Sequence, residues 1–314
     1  MLKALNRVRA AIAPNTLVPA LLHIHLYDGR VQAGNGNVFI DAPTSLDLNI
    51  TVPAARFVAA IEACKGAHSI SITENRATVT GKKFKAWVPL LSSYPAVEAT
   101  KGKRNECLGI CGVLRQLYEF IGTDASRPWG CAVLFKDGYA WATNNKSLIR
   151  VPTQVKVTVE LPHFVVTELL NVEDEPASFS VASNSVTFFY ADGVWLRSQL
   201  FAVNWPDIAR FATIIEQSGD LIPEGLVEAV ETLSAFVQDS KLPVLLLSEK
   251  GVATQEGDHF AEIADIELPN CAHDSRLLRL VLPKATHVKF ASSGPNVFYN
   301  EHTKVRGLFT PFTL

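Results

Sequence analysis

Three sets of prolines recur in the same order along the chain, and this repetition most restricts the fold. Successive members of a set are 105 to 121 residues apart. The sets are Pro19, Pro128 and Pro243; Pro53, Pro162 and Pro283; and Pro95, Pro206 and Pro311. Each member of the first set opens an apolar run that ends in a glycine turn, which predicts a hairpin. Each member of the second set predicts the start of a helix, since proline in the first turn loses no hydrogen bond.

Further elements follow the same order in each repeat. A second hairpin is predicted in SISITENRATVT, SFSVASNSVTFFY and NVFYNEHTKVRGLF. An apolar periodicity of 3.6 predicts a helix before each repeat, at residues 3–13, 108–121 and 223–238. Breaks fall near the basic segment KGKRN (101–105) and near residues 207–220. The sequence therefore predicts an α+β protein of three similar domains, residues 1–103, 104–211 and 212–314.

Composition excludes several other classes of protein. The chain has 314 residues, of which 48% are hydrophobic and 19% charged, so it can bury large cores. No apolar run reaches the ~18 residues that a transmembrane helix needs. The five cysteines include no CxxC pair, which suits a reducing cytoplasm better than a disulfide framework or zinc site. The basic start MLKALNRVRAAIAP imitates a transit peptide, but we interpret it as the first helix of the fold.

The charge is unevenly distributed. Residues 1–105 hold 13 basic and 6 acidic residues, a net charge of +7, whereas residues 211–314 hold 8 and 14, a net charge of -6. Residues 106–210 carry -3. The two ends are thus expected to face different partners, or each other, and surface drift is the alternative.

No pattern of residues predicts an enzyme. TVTGKKF lacks the first glycine of a phosphate loop, GNGN (34–37) is more simply a turn, and GxSxG is absent. His23 and His25 lie on one face of a strand, but no third metal ligand is clustered with them. Cys107 and Cys111 fit buried small residues on a helix better than ligands. We expect no catalytic residue, no metal and no cofactor.

Four segments carry a resemblance to a known family. They are NTLVPALLHIHL (15–26), ATNNKSL (142–148), NWPDIARF (204–211) and LFTPFTL (308–314). Together they resemble segments of the bacterial DNA polymerase sliding clamp, the beta subunit of the replicase. The departures are Asn144-Asn145-Lys146 for Asp-Gly-His, Trp205 and Ile208 for aromatic residues, and Thr310 and Phe312 for methionines. The chain is also shorter than typical members, which would suit a compact phage-encoded homologue.

The resemblance implies the DNA clamp fold, with two helices and about eight strands in each domain. Two chains would join head to tail as a homodimer, and each would form half of a six-domain ring around double-stranded DNA. Domain 1 of one chain would meet domain 3 of the other, where the charges of +7 and -6 are complementary. The implied function is that of a cytoplasmic, nucleoid-associated DNA polymerase processivity factor, in the host cytoplasm if the protein is phage-encoded.

The resemblance also implies two sets of binding residues. The helices would line the pore and hold DNA through its phosphates without reading its sequence. Candidate DNA-binding residues are Lys3, Arg7, Arg9, Arg56, Lys65, Arg115, Lys284 and Lys289, with Arg127 and Trp129 on a loop at one face. Each cation could instead be a solvated surface charge, and Trp129 could stack on an exposed base or pack on a neighbour. The predicted helix at 223–238 carries glutamates and no base, which does not fit a basic pore.

The second set is a pocket for short linear motifs of polymerases and clamp loaders. Its candidate residues are Thr143, Asn145, Leu148, Pro206, Arg210, Phe211, Leu308, Thr310 and Phe312. An apolar groove with one arginine suits a peptide with a leucine or phenylalanine anchor and a polar flank. The apolar members could also be ordinary core residues. The alternative function is a clamp-fold scaffold or peptide-binding decoy that does not encircle DNA.

Overall fold

The protein is an α+β structure of short helices and antiparallel sheets. The computed structural model describes residues 1–12, 16–172, 174–201, 203–263 and 267–312. The helices in these ranges are α1 (Leu2–Arg9), α2 (Ala54–Ala63), α3 (Ile110–Leu117), α4 (His163–Asn171), α5 (Ala209–Ile215), α6 (Leu226–Val237) and α7 (Ser275–Val281).

The strands form four sheets in these ranges. The first eight strands are β1 (His23–Tyr27), β2 (Arg30–Gly34), β3 (Val38–Pro43), β4 (Ile50–Pro53), β5 (His68–Thr73), β6 (Arg76–Gly81), β7 (Lys85–Pro89) and β8 (Asn105–Glu106). The next eight are β9 (Ala132–Lys136), β10 (Tyr139–Thr143), β11 (Ser147–Pro152), β12 (Val159–Pro162), β13 (Ser178–Ala182), β14 (Ser185–Phe189), β15 (Trp195–Gln199) and β16 (Asp220–Leu221). The last seven are β17 (Val244–Ser248), β18 (Gly251–Thr254), β19 (Phe260–Glu262), β20 (Cys271–Asp274), β21 (His287–Lys289), β22 (Asn296–Tyr299) and β23 (Arg306–Phe309).

The chain divides into two compact units, each assembled from two stretches of sequence. The first unit is Met1–Cys111 with Phe164–Ala202, and the second is Gly112–His163 with Val203–Leu314. Each unit therefore combines residues from two of the predicted domains, because its largest sheet takes strands from both. The predicted boundaries near residues 103 and 211 stay a prediction.

The first unit is built on an eight-stranded sheet in the order β4-β1-β2-β3-β15-β14-β13-β8, beside a three-stranded sheet β5-β6-β7. The central pairing joins β3 to β15, with Ile40 opposite Leu196. Helix α1 packs on β2 and β3 and against α2, and it buries Leu5 and Val8 completely. Burial of these side chains stabilises α1, because a helix of eight residues is marginal on its own.

The second unit repeats this design. Its eight-stranded sheet has the order β12-β9-β10-β11-β23-β22-β21-β16, beside a four-stranded sheet β19-β18-β17-β20. The central pairing joins β11 to β23, with Leu148 opposite Leu308. Helix α6 packs on β17 and β18 and against α7. Phe120, Phe135 and Phe298 are among the fully buried side chains of this core.

The predicted hairpins are confirmed. Asp28-Gly29 joins β1 to β2, and Asp137-Gly138 joins β9 to β10, each with positive φ at both residues. Such turns match the right-handed twist of the flanking strands, and Asp-Gly is well suited to them. The second hairpins are also present, as β5–β6, β13–β14 and β22–β23.

Most predicted helices are found, but the one at Pro283 is wrong. Helices α2 and α4 begin directly after Pro53 and Pro162, as expected. In the third repeat α7 comes earlier, because Asp274 caps it by accepting a hydrogen bond from the Arg276 N–H (3.0 Å). Pro283 lies in the short 3₁₀ turn Leu282–Lys284 that follows. The predicted helix 3–13 is shorter, since α1 ends at Arg9, and residue 13 lies outside the described residues.

We predict a pH dependence from the buried His273. Its ring lies between Phe290 and Phe309, with centroid distances of 5.5 and 5.4 Å. Burial lowers its pKa from 6.5 to about 4, so the unfolded chain binds a proton there before the native protein does. The free energy of unfolding should therefore fall, by about 3 kcal/mol, as the pH falls from about 6.5 to 4. In urea unfolding, the His273→Leu variant should lack this fall in the free energy of unfolding between pH 6.5 and 4. A variant of the exposed His302 should retain it. An unchanged pH slope in His273→Leu would contradict the assignment.

Candidate functional site

One wall of the candidate site is the turn between β10 and β11. The Asn144 side chain accepts hydrogen bonds from the backbone N–H groups of Lys146 (3.1 Å) and Ser147 (2.8 Å). Thr143 Oγ1 donates to the Ser147 carbonyl (2.6 Å). Asn145 has a φ of 70°, a conformation that asparagine tolerates better than most residues. The local asparagine and threonine bonds thus fix a turn that presents Asn145 at the surface.

The second wall is the segment that leads into α5. Asp207 Oδ1 accepts from the Ala209 N–H (2.9 Å), which satisfies one free donor at the start of this helix. At its other end, Glu216 pairs with Arg150 (2.6 Å) and Arg306 (3.3 Å), and both arginines come from the sheet. Helix α5 is therefore held at both ends, and it carries Arg210 and Phe211.

The third wall is β23 and the residues after it. Thr310 donates to the Lys146 carbonyl through its backbone N–H (2.9 Å) and through Oγ1 (3.2 Å). This continues the pairing of β23 with β11 beyond the sheet and fixes the position of Thr310 against the β10–β11 turn.

These three walls enclose a cavity of about 290 Å³ in the second unit. Eight of the nine predicted peptide-binding residues line it: Thr143, Asn145, Leu148, Pro206, Arg210, Phe211, Leu308 and Thr310. None of the described residues that line it is acidic. Leu148 and Leu308 also belong to the buried cluster beneath, with Leu134, Trp141 and Ile215. The alternative that they are core residues is thus correct in part, since both side chains pack in the buried cluster and also line the cavity.

Two buried polar atoms at this cavity have unused hydrogen-bonding capacity. Asn145 Oδ1 and Trp205 Nε1 are shielded from solvent, and neither has a hydrogen-bond partner among the described residues. An acceptor and a donor left in this way favour a ligand that supplies the missing partners, because an unpaired buried polar group costs about 1–3 kcal/mol. Arg127 and Arg210 add positive charge, while the third cation, Lys146, is paired with Asp274 (3.1 Å).

Phe312 is the predicted pocket residue that does not line this cavity. Its backbone N–H donates to the Ala272 carbonyl (2.7 Å), so it pairs with the edge of β20. Pro311 and Phe312 line a different cavity, of about 680 Å³, with residues of β17 and β20. Thr310 and Phe312 therefore belong to different cavities.

Sequence reasoning assigned Arg127 and Trp129 to DNA, but both line the same cavity as the predicted peptide-binding residues. Trp129 packs edge-on against Trp205, with ring centroids 6.0 Å apart, which agrees with the alternative that it packs on a neighbour. Trp205 and Ile208 were not among the predicted residues. Their signal was the NWPDIARF segment itself, in which they stand beside the predicted Pro206 and Arg210.

The predicted DNA-binding residues divide by whether their charge is free. Those with exposed side chains are Lys3, Arg9, Arg56, Lys65, Arg115 and Lys289. Lys284 pairs with Glu119 (3.0 Å). Lys289 donates to the Gln217 side chain (3.0 Å), and it lies on β21 rather than on a helix. On α6 the two glutamates Glu228 and Glu231 are exposed, which agrees with the acidic helix that the sequence predicts.

Arg7 is the candidate whose placement fits DNA binding least. It forms ion pairs with Asp192 (2.6 Å) and Asp174 (3.0 Å), and its guanidinium centre lies 5.0 Å from the Tyr190 ring centroid. Only 11% of its side chain is exposed. Its charge is thus already neutralised inside the first unit, where it joins α1 to Asp174, after α4, and to Asp192, between β14 and β15.

The histidines and cysteines are engaged in packing. His25 is stacked between Tyr27 and Tyr94, and burial lowers its pKa. His23 bonds instead to the Pro19 carbonyl (2.7 Å). Cys107 is buried, and burial raises the pKa of its thiol to about 12. Among the described residues, no group of three or more histidine, cysteine or acidic side chains is placed to hold a metal ion.

Comparisons with known proteins define the fold. No protein-family model and no curated protein sequence matches the chain. Solved structures match over its whole length: the beta sliding clamp of C. crescentus and the DNA polymerase III beta chain of Streptococcus pneumoniae each have a TM-score of 0.82 at 16% identity. The sliding clamp of Bacillus subtilis has a TM-score of 0.79 at 15% identity. Each match covers 100% of this chain and 97% of the other.

The protein therefore has the fold of the bacterial DNA polymerase III beta sliding clamps, which confirms the expected fold. Within the described residues, every helix is too short or too polar to span a lipid bilayer.

Arg7 generates a prediction about stability. Replacing Arg7 with Met leaves Asp174 and Asp192 unpaired and removes the contact with Tyr190, so the free energy of unfolding should fall by about 1–3 kcal/mol. Arg9→Met, on the same helix but exposed, should change it by less than about 0.5 kcal/mol. Denaturant unfolding of the two variants measures the difference. Equal stability of both variants would show that the ion pairs of Arg7 contribute nothing.

Proposed function

We propose that the protein is a DNA polymerase processivity factor, a sliding clamp that encircles double-stranded DNA and recruits partners through a peptide pocket. The observation that carries the proposal is the convergence of eight expected residues on one apolar cavity, within a chain that has the clamp fold over its full length. Its action is topological and uses no catalytic residue or cofactor. It works in the cytoplasm, at the nucleoid.

The partner at the pocket is a short linear motif of a polymerase or clamp loader. A leucine or phenylalanine side chain enters the space between Leu148, Leu308 and Phe211, where it would lose most contact with water. The polar flank of the motif meets Arg210 and the unused hydrogen-bonding groups of Asn145 and Trp205. Rigid walls favour such binding, since little conformational entropy remains to be lost.

Ring closure requires two copies of the chain, head to tail. In the described structure β5 ends the small sheet of the first unit, and β19 ends the small sheet of the second. Both edges expose an apolar side chain, Ile72 (45%) and Phe260 (52%). An unpaired edge with apolar groups is a template for pairing with another chain. Pairing of β5 with β19 of a second copy would remove both edges.

Charge supports this pairing and disfavours the like-with-like alternative. Exposed cations on β5–β7 and their loops are Arg76, Lys82, Lys83 and Lys85, whereas exposed acids near β19 are Glu256, Asp258 and Glu262. The net charges of +7 and -6 at the two ends of the chain thus include residues of the two small sheets, with the four cations on β6, on β7 and on the loop between them. Opposite charges raise the rate of correct encounters and repel incorrect ones.

DNA is held by the exposed cations of the helices, through phosphates. Lys3 and Arg9 on α1, Arg56 on α2 and Arg115 on α3 are the strongest members. Contacts of this kind weaken steeply with salt and carry no sequence information, which is what sliding requires.

A clamp-fold scaffold that does not encircle DNA is the second candidate. The observation that favours it is α6, where Glu228 and Glu231 are exposed and no basic residue is present. Such a protein would bind peptides and would not be retained on DNA circles. Retention on a nicked circular plasmid, with loss on linearisation, separates the two functions.

The pocket generates a binding prediction. Phe211→Ala should weaken binding of a labelled peptide with a leucine–phenylalanine anchor by about 10-fold, because it opens one apolar wall. Arg210→Met should reduce binding of a peptide with a polar flank more than one without it. Fluorescence anisotropy measures both, with Phe236→Ala, an exposed position elsewhere in the second unit, as control. Unchanged affinity in both pocket variants, or loss of dimerisation by them, would contradict the placement of the pocket.

The paired edges generate a prediction about mass. Light scattering after size exclusion at micromolar concentration should give a dimer, twice 34.3 kDa. Ile72→Asp and Phe260→Asp should each give a monomer, because each buries a charge at the interface. Leu108→Asp, at an exposed position away from both edges, should remain dimeric. A wild-type monomer or trimer would contradict the six-domain ring.

A further inference from the structure

A segment between the predicted first and second domains forms a basic groove that the clamp function does not use. We call residues 97–104 the linker strap. It contains Lys101, Lys103 and Arg104, and all three side chains are exposed. The strap lies entirely in the first unit, against the face of the sheet that is opposite to α1. The side chains of a strand alternate between the two faces of a sheet. Ile40 shares a cleft with residues of α1, so the next residue, Asp41, lies on the opposite face, where Gln32 bonds both to it and to the strap.

The strap is held rigidly on the sheet. The Gln32 side chain donates to the Val97 carbonyl and accepts from the Val97 N–H, both at 2.9 Å. The Thr100 N–H donates to Thr187 Oγ1 (2.8 Å), and Ser180 Oγ donates to the Lys103 carbonyl (3.2 Å). Gln32, Thr187 and Ser180 are buried, so these bonds are shielded from water. The cations therefore project from a fixed backbone and not from a loose linker.

Two cavities meet at Arg104. One, of about 450 Å³, lies along the strap, and the other, of about 300 Å³, continues toward Arg30 and Trp195. Both are lined by Ala99, Arg104 and Phe189. The two cavities thus form one groove with Arg104 at its centre.

Arg104 is oriented for a ligand and has no acidic partner within the described structure. Its guanidinium centre lies 3.8 Å from the centroid of the Phe189 ring. This contact fixes the plane of the guanidinium and leaves its N–H groups for an anion, which it can bind in a bidentate manner. Lys103 also has no ion pair among the described residues, whereas Lys101 is paired with Glu98 (2.9 Å). Lys103 lines neither cavity, and Glu98, which lines the first, is the partner of Lys101, so the uncompensated positive charge of the groove is that of Arg104.

We propose that this groove is a second binding site, for an acidic peptide segment in extended conformation. A chain of seven residues such as 98–104 spans at most ~20 Å, which six residues of an extended peptide can follow. A carboxylate would pair with Arg104, and the peptide backbone would lie over Ala99 and Phe189. The proposal rests on the first unit alone and stands independently of the clamp function.

The groove fits single-stranded nucleic acid less well. Proteins that bind single strands offer exposed aromatic faces on which bases stack. Here Arg104 covers Phe189, while Trp195 and Tyr190 are only 8% and 5% exposed. The groove provides charge without a stacking platform, and this favours carboxylates.

The test uses labelled hexaglutamate, its uncharged counterpart hexaglutamine and the oligonucleotide dT6 as probes, with fluorescence anisotropy on the full chain. Hexaglutamate should bind and hexaglutamine should not. Arg104→Met, which keeps an apolar side chain over Phe189, should weaken hexaglutamate binding about 5- to 10-fold, since a charge-assisted bidentate contact is lost. Arg279→Met, which removes an exposed cation of α7 in the second unit that has no assigned binding role, should leave it unchanged.

Each other outcome would overturn the proposal. No binding of hexaglutamate, or equal weakening by Arg279→Met, would mean that the groove is no more than a solvated basic surface. Tighter binding of dT6 that Arg104→Met reduces would reassign the groove to nucleic acid. Thermal unfolding of Arg104→Met checks that the strap remains folded, and Arg104→Gln provides a second variant if it does not. Binding of the leucine–phenylalanine peptide at the other unit should be normal in these variants.

Discussion

The architecture depends on strand pairing between residues that are far apart in the sequence. The pairs β3–β15 and β11–β23 each complete an eight-stranded sheet, and each joins strands more than 150 residues apart. Such pairing has a high entropic cost of chain closure, which the buried side chains on both strands must offset. The cavity of the candidate site depends on the second pair, because that pairing brings Leu148 beside Leu308.

The two pairings show how one repeated framework can give different sites. In the first unit Asp41 accepts hydrogen bonds from Tyr27, Arg30 and Gln32, and Gln32 also binds the strap at Val97. That network fills the space over β2 and β3. At the matching register of the second unit stand Trp141 and Arg150, and the segment above them leaves a cavity open. In the first unit a buried polar network fills the space over the sheet. In the second unit the surface is apolar with few polar groups, and a cavity remains open there.

Much of the candidate site could be predicted from the sequence, because the turn residues form hydrogen bonds with their own neighbours in the chain. The hydrogen bonds of Thr143 and Asn144 fix the β10–β11 turn from within a few residues, so a short motif was enough to identify it. Arg7 shows the opposite case. It stands on a basic helix and its sequence context indicates a phosphate contact, but Asp174 and Asp192 come from a distant part of the chain and neutralise it. Phe312 was likewise grouped with Thr310 through the resemblance, but the Thr310 backbone bonds to Lys146 whereas the Phe312 backbone bonds to Ala272 at the edge of β20.

The α+β class, the positions of the hairpins and most of the helices follow from the sequence alone. These features depend on periodicity, proline positions and turn residues, all of which act over a few residues. The tertiary structure was needed to learn which cations are unpaired and which predicted pocket residues share a cavity. It also showed that the linker strap is bound to the sheet, with Arg104 stacked on Phe189. Those properties arise from contacts between residues that are distant in sequence, and local sequence patterns do not reveal which distant residues meet.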